Sequence, residues 1–122
     1  MTHQRQSLGK QGEELTCREL RRRGYAIHAR RYRTRFGELD VIARDHGVLV
    51  FVEVKTRRSG SFGGATAAVG FQKQRRLINM ARSYLMGIRG KPPLCRFDVV
   101  GVTVAAGERP VLDVVVNAFV FS

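Results

Sequence analysis

The segment Val48-Leu49-Val50-Phe51-Val52-Glu53-Val54-Lys55-Thr56 limits the possible folds of this chain more than any other. β-branched and aromatic residues fill it, and such side chains pack well on a pleated surface, so residues 48–56 read as a strand. Residues 38–44 alternate in the same manner and precede it across Asp45-His46-Gly47. A short turn with Gly at its second central position is a hairpin signal. If His46 and Gly47 form the loop, Asp45 faces Val48. The same antiparallel register then sets Asp40 opposite Glu53 and Glu38 opposite Lys55. Directly opposed residues point to one face, with Cβ atoms about 4.5–5.5 Å apart. One face is thus expected to carry Glu38, Asp40, Glu53 and Lys55. Leu39, Val41, Val50, Val52 and Val54 should form core on the other.

Opposed carboxylates repel each other unless something neutralises them. A divalent cation does this, and Mg²⁺ is held by one or two carboxylates together with water and phosphate oxygens. Asp40 and Glu53 are therefore candidate ligands for Mg²⁺ or Mn²⁺. Such an ion polarises a phosphoryl group and activates water. The Lys55 ammonium, two residues from Glu53 and so on the same face, is placed to hold the attacking water or to balance negative charge in the transition state. The same residues also fit a plain ion-pair patch, with Glu38 crossing to Lys55 and the other acids meeting arginines. Acid–x–lysine is common in strands, and the residues alone leave both readings open.

The charge balance points to a partner. Lys+Arg number 22 against 10 Asp+Glu, a net +12, and most of the excess is Arg. The guanidinium fork binds phosphate bidentately. The arginines also cluster, at Arg21–Arg23, at Arg30, Arg31, Arg33 and Arg35, and at Arg57, Arg58, Arg75 and Arg76, with Lys73 nearby. A nucleic acid, DNA or RNA, is the natural polyanion for such a surface. Arg57, Arg58, Lys73, Arg75 and Arg76 flank the acids in sequence and are the candidate nucleic-acid contacts. No apolar run approaches the length of a membrane span, and MTHQRQSLGK lacks the apolar stretch of a secretory signal, so no membrane partner and a cytoplasmic address are expected. Cys17 and Cys95 have neither disulfide-framework nor metal-binding spacing.

The remaining pattern fits one domain over residues 1–122. A helix is expected over 7–23 with Gly24 as its stop, a short strand over 25–29, and a polar, glycine-rich loop over 57–64. Leu77, Ile78, Ala81, Tyr84, Leu85 and Ile88 recur at helical spacing within 71–88, before Gly90, Pro92 and Pro93. Valine-rich strands over 96–104 and 111–121 complete a mixed sheet with helices packed on it. In the first helix Glu13 shares a stripe with Cys17 and Leu20. It is either an inward carboxylate serving the site or a boundary glutamate paired with Lys10 or an arginine.

Residues 37–57, GELDVIARDHGVLVFVEVKTR, resemble the YraN family of bacterial proteins. Gly12-Glu13, Gly24-Tyr25, Phe62-Gly63, Lys73 and Arg96-Phe97-Asp98 extend the likeness over nearly the whole chain. That family resembles the PD-(D/E)xK nuclease superfamily, especially archaeal-type Holliday junction resolvases. The resemblance implies an α/β, restriction-endonuclease-like mixed sheet of about five strands flanked by helices. It also implies Glu13, Asp40, Glu53 and Lys55 as catalytic residues. Leu39 replaces the proline of the superfamily's name, and Arg31 stands where the family usually has Asn. Resolvase-like proteins act as dimers, so a homodimer is an expectation. The expected function is Mg²⁺-dependent endonucleolytic hydrolysis of branched or structured DNA. A non-catalytic nucleic-acid-binding module on the same fold is the alternative, and an assembly factor docking an acidic protein is a third class.

Overall fold

A computed structural model of the chain describes residues 2–59 and 69–120, with side chains from residue 7 onward. The element order is α1 (Thr2–Arg22), β1 (Ala26–Thr34), β2 (Gly37–Asp45), β3 (Val48–Arg58), α2 (Phe71–Leu85), β4 (Leu94–Val104) and β5 (Val111–Phe119). The five strands form one sheet in sequence order, antiparallel at each junction except β3–β4, which is parallel. A parallel pair requires a crossover of a dozen or more residues, and α2 supplies it. The expected mixed α/β sheet flanked by helices is the architecture observed.

Each helix covers one face. Cys17 and Leu20 of α1 pack with Val41, Ala43, Val50, Val52, Val100 and Val102. Leu77, Ile78, Met80 and Ala81 of α2 pack with Leu39, Ile42, Leu49, Phe51 and Phe97. Sheet residues on both faces are buried, which is why β3 and β4 read as almost unbroken apolar runs.

The β2–β3 register matches the hairpin expectation: Asp45 pairs with Val48, Ala43 with Val50 and Val41 with Val52. Two expectations need correction. Leu39 does not share a face with Val41, Val50, Val52 and Val54, because it packs beneath α2 while they pack beneath α1. Alternation breaks at Asp40, and β1 breaks at the same level. Ala29 and Tyr32 both lie on the α2 side, with Arg31 between them at φ 51. Glu38 also does not oppose Lys55. The β2–β3 ladder stops at Val41–Val52, and Glu38 instead accepts a 3.0 Å bond from Arg33 Nη2 on β1.

Element lengths differ in places. α1 begins at Thr2, β1 runs on to Thr34, β3 continues through Arg58, α2 stops at Leu85 and β5 at Phe119. β1 was expected to end at residue 29 because its second half is mostly arginine. On this edge strand the arginines meet acids, Arg30 with Glu14, Arg31 with Glu13 and Arg33 with Glu38, and Tyr32 and Thr34 are only half-buried. Most of the glycine-rich loop expected at 57–64 lies outside the described residues.

Candidate functional site

Three elements converge where β2 loses its alternation. Gly12 lets α1 lie directly on β3, since a Cβ there would collide with the Thr56 side chain. This close approach carries the next residue, Glu13, to the end of the sheet. β2 brings Asp40 and β3 brings Glu53, placed by the hairpin register. Beyond the last ladder pair, Asp40 Oδ2 accepts the backbone N–H of Val54 at 2.8 Å, so a side chain continues the pairing that the backbone gives up.

The Asp40 and Glu53 carboxyls meet and hydrogen-bond to each other. Burial and then the charge of Glu53 push Asp40 up to about 8, against the opposing pull of the Val54 N–H; Glu13 adds a smaller upward push. The pair thus favours keeping a proton between its two carboxyls. Glu53 is 8% exposed, and its Oε2 receives Lys73 Nζ at 3.1 Å from α2. Glu13 accepts a 2.6 Å bond from Arg31 Nε. The left-handed backbone of Arg31, uncommon for a residue other than glycine, is thus part of the arrangement that meets Glu13.

Lys55 lies on β3 two residues beyond Glu53. With Glu13, Thr56, Arg57 and Arg58 it lines an open cleft of about 740 Å³. A smaller hollow of about 370 Å³ lies between Glu13, Arg31 and Glu38. Arg75 and Arg76 are exposed on α2. Asp40 and Glu53 are thus brought together, Lys55 and Glu13 line one cleft, and Glu38 stands apart with Arg33. Lys73, expected among the phosphate contacts, pairs with Glu53.

Among the described residues, no group of three or more His, Cys, Asp or Glu side chains is arranged to hold a metal ion. Two touching carboxylates are the donor set. That set suits Mg²⁺, which takes one or two carboxylates and completes its shell with water and phosphate. The like charge that raises Asp40 is what a divalent cation would relieve. Glu13, tied to Arg31, is not gathered with this pair into a three-acid cluster.

Sequence reasoning missed a second polar assembly. Asp98 is fully buried; its Oδ1 receives Arg96 Nε and the backbone N–H of Asn117, both at 3.0 Å. Arg96 Nη2 also donates to Tyr25 Oη at 2.7 Å and to Asp45 Oδ2 at 3.0 Å. The assembly ties the α1–β1 connection, the β2–β3 hairpin and the β4–β5 edge together. Its one sequence signal was that Gly24-Tyr25 and Arg96-Phe97-Asp98 belong to the YraN resemblance.

The chain matches the uncharacterised protein family UPF0102 over residues 12–102, a span that contains Glu13, Asp40, Glu53, Lys55 and Lys73. It is 49% identical over 109 residues to the UPF0102 protein of Nocardia farcinica, covering 89% of this chain and 86% of that one. It is 47% identical over 112 residues to UPF0102 protein STH1475 of Symbiobacterium thermophilum, covering 92% and 95%. With the UPF0102 protein of Geobacter metallireducens the identity is 41% over 119 residues, covering 98% and 97%.

Proposed function

This chain belongs to the UPF0102 family, and from that premise and its paired carboxylates we propose that it is a nucleic-acid-binding, Mg²⁺- or Mn²⁺-dependent endonuclease that hydrolyses phosphodiester bonds in branched or structured DNA. The observation that carries the proposal is the contact between Asp40 and Glu53 in a chain of net charge +12. Burying two acids against each other is unfavourable for folding. A basic protein has a wealth of arginines with which to separate them, and it does not. The resemblance to PD-(D/E)xK nucleases assigns catalysis to the same pair and to Lys55.

Asp40 and Glu53 would hold the ion, which when bound supplies Lewis-acid activation of the phosphodiester and of water. Binding requires Asp40 to give up its proton and Glu53 to exchange Lys73 for the cation. Lys73 would then be released toward a phosphate, in keeping with its expected role in nucleic-acid contact. The Lys55 ammonium stabilises the negative charge that develops on the phosphoryl oxygens. Arg57 and Arg58, where β3 emerges from the sheet, and Arg75 and Arg76 on α2 fix the backbone phosphates.

Two substitutions separate binding from chemistry. Glu53→Gln removes an anionic ligand, so Mn²⁺ affinity measured by calorimetry should fall and cleavage should collapse, while nucleic-acid binding without metal holds or tightens. Lys55→Ala leaves both carboxylates, so Mn²⁺ affinity should persist while the rate drops about 10²–10³-fold, as for loss of a transition-state stabiliser. Equal Mn²⁺ affinity in wild type and Glu53→Gln would remove the metal site. One observation favours the non-catalytic binding module instead: the Glu53–Lys73 ion pair at 3.1 Å and a protonated Asp40 satisfy the acids without any metal. On that reading Lys73→Ala destabilises the protein and does not increase its Mn²⁺ affinity. On the nuclease reading Mn²⁺ affinity rises.

A further inference from the structure

We propose that Phe36 and Phe71, each accompanied by an arginine over its ring, are stacking sites that form a platform for unpaired nucleobases. The inference rests on the nucleic-acid reading above. It narrows the substrate class to nucleic acids with unstacked, single-stranded nucleotides.

Phe71 is 71% exposed and Phe36 39%. Phe71 is the first residue of α2, and two residues further on Lys73 reaches Glu53. Phe36 lies in the turn Arg35-Phe36 between β1 and β2. Thr34 Oγ1 braces that turn, donating to the Gly37 carbonyl at 2.9 Å and accepting the Phe36 N–H at 3.0 Å. The turn rests against α2, because a Cβ at Gly37 would sit 3.4 Å from Met80 Sδ and 3.9 Å from Arg76 Cδ. Phe36 is thus borne by a turn that lies against α2, and Phe71 by the N-terminus of α2 itself.

The rings share a second feature. The Arg35 guanidinium lies 4.9 Å from the Phe36 centroid and that of Arg75 lies 5.8 Å from the Phe71 centroid. Neither aromatic belongs to the core cluster beneath α2. Exposed aromatics interleaved with cations are how single-stranded nucleic acid is held: bases stack on the rings while guanidiniums take phosphates or extend the stack. Only unpaired bases offer a free face, since those of a duplex are already stacked on their neighbours. The charge around the platform, with Arg35, Arg75 and Arg76 all exposed, selects a polyanion over an apolar protein partner.

The test uses the full chain in EDTA, so that nothing is cleaved. The probes are a flap DNA with 2-aminopurine at the first unpaired nucleotide and a fully paired duplex of the same sequence. Wild type should bind the flap and quench the probe. Phe71→Ala and Phe36→Ala should each weaken flap binding by about fivefold or more, as for loss of one base–aromatic stack. Duplex binding should change less than twofold, and Phe71→Trp should restore the quench. If wild type binds both DNAs but the alanine variants lose neither flap affinity nor quench, or lose both DNAs equally, the platform is refuted and the nucleic-acid reading stands. If wild type binds neither DNA, both fall together.

Discussion

Burial and the neighbouring Glu53 carboxylate raise Asp40 above the ordinary carboxylate range, and this has a measurable consequence. Its value in the fold, about 8, lies above the ordinary carboxylate value of 3.8. The folded protein therefore retains a proton that the unfolded chain has released between those two values. Stability must fall as pH rises through that window and level off above it. Urea unfolding of metal-free protein between pH 5 and 9 should show the midpoint declining with pH, and Asp40→Asn should flatten the decline. A midpoint that rises over this range in wild type would contradict the assigned environment. Divalent cations act in the opposite sense. If Asp40 holds Mn²⁺ as proposed, the ion would compete with its proton, and Mn²⁺ affinity should increase with pH up to about 8, as calorimetry at several pH values would show. At this scale the sequence revealed the adjacency of Asp40 and Glu53, because a hairpin register follows from turn chemistry and period-two alternation. It could not reveal that Lys73 takes Glu53 or that Arg31 takes Glu13. Those pairs join residues far apart in sequence, and nothing in local pattern distinguishes one lysine or arginine of a basic chain from the next.

Among the elements, α1 and β4 each depend on an identifiable residue for their place on the sheet. Gly12 is buried against Thr56, a β-branched residue whose Cβ as well as its hydroxyl would be in the way of any side chain. Gly12→Ala should move α1 off the sheet and destabilise by about 1–3 kcal/mol, as overpacking does. Thr56→Gly in the same chain should recover much of the loss, and denaturation of the single and double variants checks it. At the other end of the sheet, the guanidinium of Arg96 answers the buried carboxylate of Asp98. Arg96→Ala leaves that carboxylate uncompensated and should cost about 3–5 kcal/mol, read as a lowered denaturant midpoint. Most element types were legible, since β-branched runs and the helical spacing of Leu77, Ile78, Ala81 and Tyr84 are strong patterns. The second half of β1 was not, because Arg30, Arg31, Arg33 and Arg35 read as a polar segment. Arg30, Arg31 and Arg33 belong to an edge strand and Arg35 to the turn after it, and their length and charge also guard that edge against pairing with another sheet. The break of alternation shared by Arg31 and Asp40 was likewise hidden, since it arises from two strands adjusting together.

The whole molecule is a strongly basic shell around a sheet that concentrates acids at one place. On the proposed reading its charge contacts phosphates: log K for nucleic acid should fall linearly with log salt, with slope near −0.9 for each phosphate neutralised on duplex DNA. Charge reversal at Arg57, Arg58, Arg75 and Arg76 should flatten that slope. An unchanged slope in a titration monitored by fluorescence anisotropy would move the binding surface to Arg21–Arg35. Among the described residues no helix is long and apolar enough to cross a membrane. The most direct measurement is cleavage itself. Wild type and Asp40→Ala are incubated with duplex, flap and four-way DNA substrates in Mg²⁺, in Mn²⁺ and in EDTA, and the products are resolved on denaturing gels. Wild type should cut flap or four-way DNA at defined positions only when a divalent ion is present, and Asp40→Ala should leave the same substrates intact while still binding them. An uncut panel in both metals, or cutting that survives in Asp40→Ala, would contradict the account.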